Sequence, residues 1–178
     1  KNEVIVDINI NKNEKMKVHK IYFNGNNVLS DFDLKWAMKK TSERDYFFTL
    51  FKQKKFVEAD FESDLQVLTE KYNEKGYRDA IVVCDSIVPY DKNKVDLYIS
   101  IEEGNKYHIR DIRWIGNTVY TSETLSQFLG MQPGDVYNQK LLNKRINEDD
   151  DAVSNLYLDK GYLFFRLLPI ESNIENDS

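Results

Sequence analysis

The sequence predicts an α+β fold made of tandem β-α-α-β-β units, each a small mixed sheet covered by two helices. A direct internal repeat, glycines at matching points of it, and a fixed order of strand-type and helix-type periodicity carry that prediction. Val4-Ile-Val-Asp-Ile-Asn-Ile10 returns as Val95-Asp-Leu-Tyr-Ile-Ser-Ile101, and Lys15–Ile21 returns as Lys106–Ile112. Phe23-Asn-Gly-Asn26 returns as Trp114-Ile-Gly-Asn117, with all three matches 91 positions apart. Lys75-Gly-Tyr77 returns as Lys160-Gly-Tyr162 only 85 positions on, so the first unit carries about six extra residues, placed near Tyr46–Phe56.

Each element has a local reason. Val18, Ile21 and Phe23 give a first strand that ends at Asn24-Gly-Asn26. Ser30 reads as an N-cap, with Asp33 completing a capping box, and Leu34, Ala37 and Met38 follow at helical spacing. A second helix is expected over residues 58–75, its apolar stripe formed by Phe61, Leu65, Leu68 and Tyr72 and its end marked by Gly76. A β-rich run over 80–88, a turn at Pro89–Asn93 and an alternating strand over 95–101 complete the unit. The second unit repeats the plan. Ile109, Ile112 and Trp114 form its strand, Thr121 its N-cap, and Leu125, Phe128 and Leu129 its first stripe; Pro133-Gly134 is a turn. Ile146, Val153 and Tyr157 mark its second helix, and residues 163–170 the next strand. Asp150 stands where Leu65 stands in the first unit, which is expected to bend or shorten that helix. The organisation expected is thus the last strand of a preceding unit with its connector over residues 1–17, a complete unit over 18–102, and a second unit without its final strand over 103–178.

Composition excludes several classes of function. Among 178 residues, 41% are hydrophobic and 31% charged, which suits a packed domain and not a disordered chain. The formal net charge of −5 argues against a nucleic-acid partner, which needs clustered positive charge. No stretch approaches the roughly 18 apolar residues of a membrane-spanning helix. Cys84 is the sole cysteine, so no intramolecular disulfide or cysteine-based metal site is available, and cysteine usage leaves the compartment open.

No catalytic, cofactor or metal site is expected. His19 and His108 lie at first strands with no nucleophile motif nearby, and neither a phosphate loop nor a dinucleotide fingerprint occurs. The acidic run Glu148-Asp-Asp-Asp151 lacks the alternating ligands and glycine turn of a calcium loop and reads as a solvated face.

Two features point to protein binding. Pro169 aligns with Cys84, and proline is tolerated mainly at sheet edges, so the strand over 78–87 is expected to be an edge able to accept an added strand. Arg78, Ala80, Val82 and Cys84 are its candidate residues. Tyr46, Phe47, Phe48 and Phe51 in the insert are the second candidate group, as aromatics that either meet a partner or pack on their own unit.

The ordered set of strand ending in Gly-Asn, two helices, Lys-Gly-Tyr and the Glu102-Glu-Gly104 connection resembles polypeptide-transport-associated (POTRA) domains. The Pro133-Gly-Asp135-Val-Tyr137 segment fits the same pattern, and the aromatic, basic insert over 45–56 resembles that of the third such domain of outer-membrane protein assembly factors, which makes the second unit like the fourth. The resemblance implies a periplasmic scaffold arm without catalysis. Its partners would be unfolded outer-membrane proteins, bound by edge-strand augmentation, and lipoprotein subunits of the assembly machinery. Two-partner secretion pores and translocation-and-assembly transporters share these domains, and a structural connector of a cell-division protein is a different use of the fold. The short connection over 102–106 is expected to restrict the relative orientation of the two units. Residues 3–10, the counterpart of 95–101, are expected to exchange as a strand between copies of the chain.

Overall fold

The computed structural model describes residues 15–43 and 55–172. Its first repeat is a three-stranded mixed sheet with two helices on one face. β1 (Lys17–Asn24), α1 (Asp31–Ala37), α2 (Glu58–Glu74), β2 (Ile81–Asp91) and β3 (Lys94–Glu102) follow in chain order. The sheet order is β1-β3-β2, with β3 central, parallel to β1 and antiparallel to β2.

Local chemistry explains each boundary. Ser30 and Asp33 form a reciprocal capping box at the start of α1, which satisfies two otherwise orphaned amides. Gly76 follows α2 at a φ of +94°, a left-handed geometry that costs a side chain roughly 1–2 kcal/mol. Along β3 alternate apolar residues Val95, Leu97, Ile99 and Ile101 are buried against the helices. They meet Val18 and Ile21 of β1, Leu34 and Ala37 of α1, and Phe61, Leu68 and Tyr72 of α2 in one core.

One expectation for this repeat needs correction, and one buried residue was missed. The turn between β2 and β3 is tighter than predicted, because β2 runs through Pro89 to Asp91 and only Lys92 and Asn93 lie outside the strands. Pro89 fits because β2 is an edge and the ladder shifts register between Pro89 and Asp91. Asp64, which the stripe analysis passed over, is buried on α2 and accepts from the backbone amides of Thr41 at 2.6 Å and Lys40 at 3.1 Å. It thereby ties the chain after α1 to α2.

The second repeat contains α3 (Ser122–Leu129), α4 (Gln139–Asn143) and α5 (Val153–Leu158), with a π-helical turn over Lys144–Glu148. Thr121 caps α3 by accepting from the Thr124 amide, and Gly130 closes it in the left-handed conformation. The expected second helix is broken, in line with Asp150 standing at the Leu65 position. Arg145 explains where the acids go: it holds Asp149 at 3.1 Å and Asp151 at 2.7 Å while donating to the carbonyls of Phe128 and Leu129. The break also has a length origin. Lys55 to Gly76 spans 21 positions, but the matching Val136 to Gly161 spans 25, and four surplus residues cannot fit one regular helix of the same span. The helix–helix connection compensates, with 38 positions from Lys17 to Lys55 against 28 from His108 to Val136. The six extra residues inferred from the landmarks are therefore a surplus of ten less a deficit of four.

The strands expected around Ile109–Trp114 and over 163–170 do not form a sheet among the described residues. In the first repeat β1 and β2 do not form a ladder with each other; among the described residues the ladder of each is with β3. Among the described residues no segment takes the place of β3 in the second repeat, so its first and fourth segments have no common partner. Ile109, Ile112, Trp114, Phe165 and Leu167 still pack on the core of Leu125, Leu129, Ile146, Val153 and Tyr157.

Candidate protein-binding edge and inter-repeat joint

A three-stranded sheet has two edges, and this chain treats them differently. The outer side of β1 is covered by the helix–helix connection: Lys17 bridges Lys55, the Phe56 amide donates to the Met16 carbonyl at 2.8 Å, and Glu43 accepts from the Ile21 amide at 2.7 Å. The second repeat uses the same device. There His108 bridges Val136, Ile109 donates to Asp135 at 2.8 Å, and Tyr137 donates to Tyr107 at 2.9 Å. The outer side of β2 pairs with nothing among the described residues, so its backbone groups form the open edge.

The candidate residues distribute over this edge unevenly. Ala80 is buried, and Val82 and Cys84 are half-buried on the helix-covered side of β2, where they pack on the core. Burial, and then Asp85, raises the Cys84 thiol above its ordinary pKa, which keeps it a thiol. Their side chains serve the core, so a partner at this edge would meet their backbone. The side chains that a partner would meet are at alternate positions the sequence reading missed. Ile81, Val83 and Val88 pair with Glu102, Ser100 and Asp96 on the open face, and all three are exposed. Tyr22 and Tyr98 stack at 4.9 Å on that face, and Tyr90 stacks on His19 at 3.6 Å. His19 is held there by Asp96 at 2.8 Å, a structural role. The available signal was that β2 is apolar at consecutive positions, which a half-buried strand does not require. Tyr46, Phe47, Phe48 and Phe51 lie outside the described residues. Phe56, at the end of that insert, packs on the core beside Phe61.

Arg78 belongs to a different site, the joint between the repeats. Its guanidinium pairs with Glu171 at 2.6 Å and with Asp79 at 3.3 Å. Tyr107 donates its amide to the Gly76 carbonyl at 2.9 Å and its hydroxyl to Asp79 at 2.6 Å. Asn138, the N-cap of α4, donates to the Glu74 carbonyl at 3.2 Å, and Lys140 meets the Glu74 carboxylate at 2.8 Å. Glu74 is held below the ordinary carboxylate range by the Lys140 hydrogen bond first and Lys71 next, against burial. A depressed carboxyl pKa contributes stability above the unfolded value, and that contribution is lost as pH falls through the folded one. Lys140 is largely exposed, so the effect should stay below about 1 kcal/mol. Glu74→Gln should therefore narrow the loss of urea resistance between about pH 7 and about pH 3.5. An undiminished loss in that variant would contradict this account of the joint.

A model of the POTRA family, described as a surface antigen variable number repeat, matches residues 16–104 and again residues 107–178. The chain belongs to the POTRA family. Outer membrane protein assembly factor BamA of Neisseria meningitidis serogroup B is 28% identical to it over 146 residues, covering 79% of this chain and 18% of that protein. A putative outer membrane protein assembly factor of Treponema pallidum is 24% identical over 164 residues, covering 89% of this chain and 18% of that protein. These POTRA repeats thus span about a fifth of such relatives, at 18% in both cases. The crystal structure of Haemophilus influenzae BamA POTRA3-5 superposes with a TM-score of 0.51 at 19% identity, covering 83% of this chain and 50% of that one, which shows a shared fold.

Proposed function

We propose that this pair of POTRA repeats is a periplasmic scaffold segment of an outer-membrane protein assembly factor. It binds extended segments of unfolded outer-membrane proteins by strand addition at β2. The observation that carries the reading is the asymmetry of the edges: β1 is covered by its own helix connection, and β2 is left open beside an exposed apolar face. Backbone pairing supplies affinity without demanding a sequence, and a face of Ile81, Val83, Val88 and Tyr90 rewards apolar residues at alternate positions of the guest. Strands of outer-membrane barrels alternate in this way. Binding of lipoprotein subunits belongs to the same reading, with the aromatic insert as the candidate surface.

The test uses successive proline substitutions. Neighbouring amides in a strand point to opposite sides, so of Val82→Pro and Val83→Pro one removes a donor from the β3 ladder and the other a donor from the free edge. The variant that keeps its fold by circular dichroism should lose binding of an alternating apolar–polar barrel-strand peptide by about tenfold or more, the scale of one lost backbone hydrogen bond. Cys84→Pro should behave as Val82→Pro does. Undiminished peptide binding by the folded variant would refute the reading.

A further inference from the structure

We propose that Asn24 is a modification site, where the folded chain converts its own asparagine to aspartate and isoaspartate through attack by the Gly25 amide. Asn24–Gly25 is the sole Asn-Gly pair in the sequence. Glycine has no Cβ to crowd the approach of a neighbouring side chain to its amide. At the matching point the second repeat has Ile115–Gly116, which lacks the carboxamide.

The structure leaves both reacting groups available. Asn24 is the last residue of β1 and is exposed. Its carboxamide makes no hydrogen bond among the described residues, whereas those of the next two asparagines are engaged. Asn26 donates to the Leu29 carbonyl at 3.0 Å and to Asp31 at 2.9 Å, and Asn27 donates to the Gly25 carbonyl at 3.2 Å. The Gly25 amide lies just past the β1–β3 ladder and donates to no backbone carbonyl among the described residues. The Gly25 carbonyl is held on its other side, since it also accepts from the Asn27 amide at 3.2 Å. The turn is thereby fixed around one free carboxamide and one free amide.

The step balances without an oxidant or a reductant. The Gly25 nitrogen bonds to Cγ of Asn24 and gives up its proton, the Cγ–Nδ2 bond breaks, and ammonia leaves. A cyclic succinimide remains. Water then opens it at either carbonyl. One opening yields aspartate; the other yields isoaspartate, whose main chain runs through Cβ and Cγ.

Both products disturb the repeat where it has least room. Asn24 pairs with Ser100 of β3, and the Ser100 hydroxyl already donates to Asp85. A carboxylate at position 24 sets a like charge across the strands from Asp85. Isoaspartate does more, because its added backbone atom displaces Gly25. A Cβ on Gly25 would lie 2.1 Å from the Ile101 carbonyl oxygen, so the backbone has no space to shift toward β3.

Peptide mapping by mass spectrometry of the 178-residue chain, incubated folded in mildly alkaline buffer, tests this. Asn24 should convert before any other asparagine, with a matching release of ammonia. The product should resolve into an aspartate and an isoaspartate peptide of equal mass. A parallel incubation in urea measures the reaction without the fold. The two rates should agree within about tenfold, since a site closed by structure reacts only through local opening. The converted chain should unfold at a lower urea concentration than an Asn24→Asp chain, and that chain at a lower one than wild type. Asn24→Gln, whose longer side chain closes a ring far more slowly, should keep its mass and its urea midpoint through the same incubation. Another asparagine converting first, a folded chain slower than the unfolded one by more than about tenfold, or a converted chain as stable as the Asn24→Asp chain would each overturn the proposal.

Discussion

Gly25→Ala destabilises the first repeat by about 2–5 kcal/mol, while Gly116→Ala at the matching position costs about 1–2 kcal/mol. Both residues hold a left-handed φ, so both variants incur the backbone strain. Only at Gly25 does the new methyl group meet backbone, 2.1 Å from the Ile101 carbonyl oxygen, and a carbonyl inside the central strand cannot move without disturbing pairs on both sides. Urea unfolding of the two variants measures the difference, which isolates the close approach of β3 from the strain common to both. Equal losses would mean that β3 does not lie against Gly25 as described. Gly76 provides an intermediate case, because its methyl would meet the Val136 side chain at 2.6 Å and a side-chain methyl can yield.

Asp64→Ala is expected to cost about 2–4 kcal/mol, a large effect for a residue with no part in any binding surface. The carboxylate is buried and accepts from the amides of Lys40 and Thr41, and removing it leaves both donors without their acceptor in the interior. Asp64→Asn retains one acceptor oxygen and should lose less. The measurement is again urea unfolding. A loss under about 0.5 kcal/mol for the alanine variant would show that water satisfies these amides and that the tie between α1 and α2 is dispensable.

The features that local chemistry controls could be read directly from the residues. Ser30 with Asp33 and Thr121 with Thr124 cap helices through contacts three positions apart, so a short window contains the whole interaction. Of the stripe of Phe61, Leu65, Leu68 and Tyr72, Leu65 is partly buried and the other three lie on the buried face of α2, because helical spacing alone places them together. Asp64 shares that face, and a stripe defined by apolar residues passes over it; a carboxylate at a buried helical position was the sign that backbone donors converge there. Pro89 was read as the start of a turn over Pro89–Asn93, but at an edge its missing amide costs nothing and β2 continues through it to Asp91. Arg78 was placed on the binding edge by its position in the chain, whereas its long side chain reaches across the joint to Glu171.

By itself the sequence determined the tandem repeat, the order of its elements, their caps, and the fold class of the chain, because these depend on periodicity and on contacts a few residues long. Tertiary structure alone decided which strand is central, which edge is covered, and where the two repeats touch. A strand exists only with a partner, and among the described residues β1 and β2 form their ladders with β3, whose own apolar positions do not name their neighbours. The same reason separates the two repeats: similar segments formed a sheet around β3 in the first, and in the second stayed packed on the core without a ladder among the described residues, because hydrogen bonding between strands requires the strand that joins them.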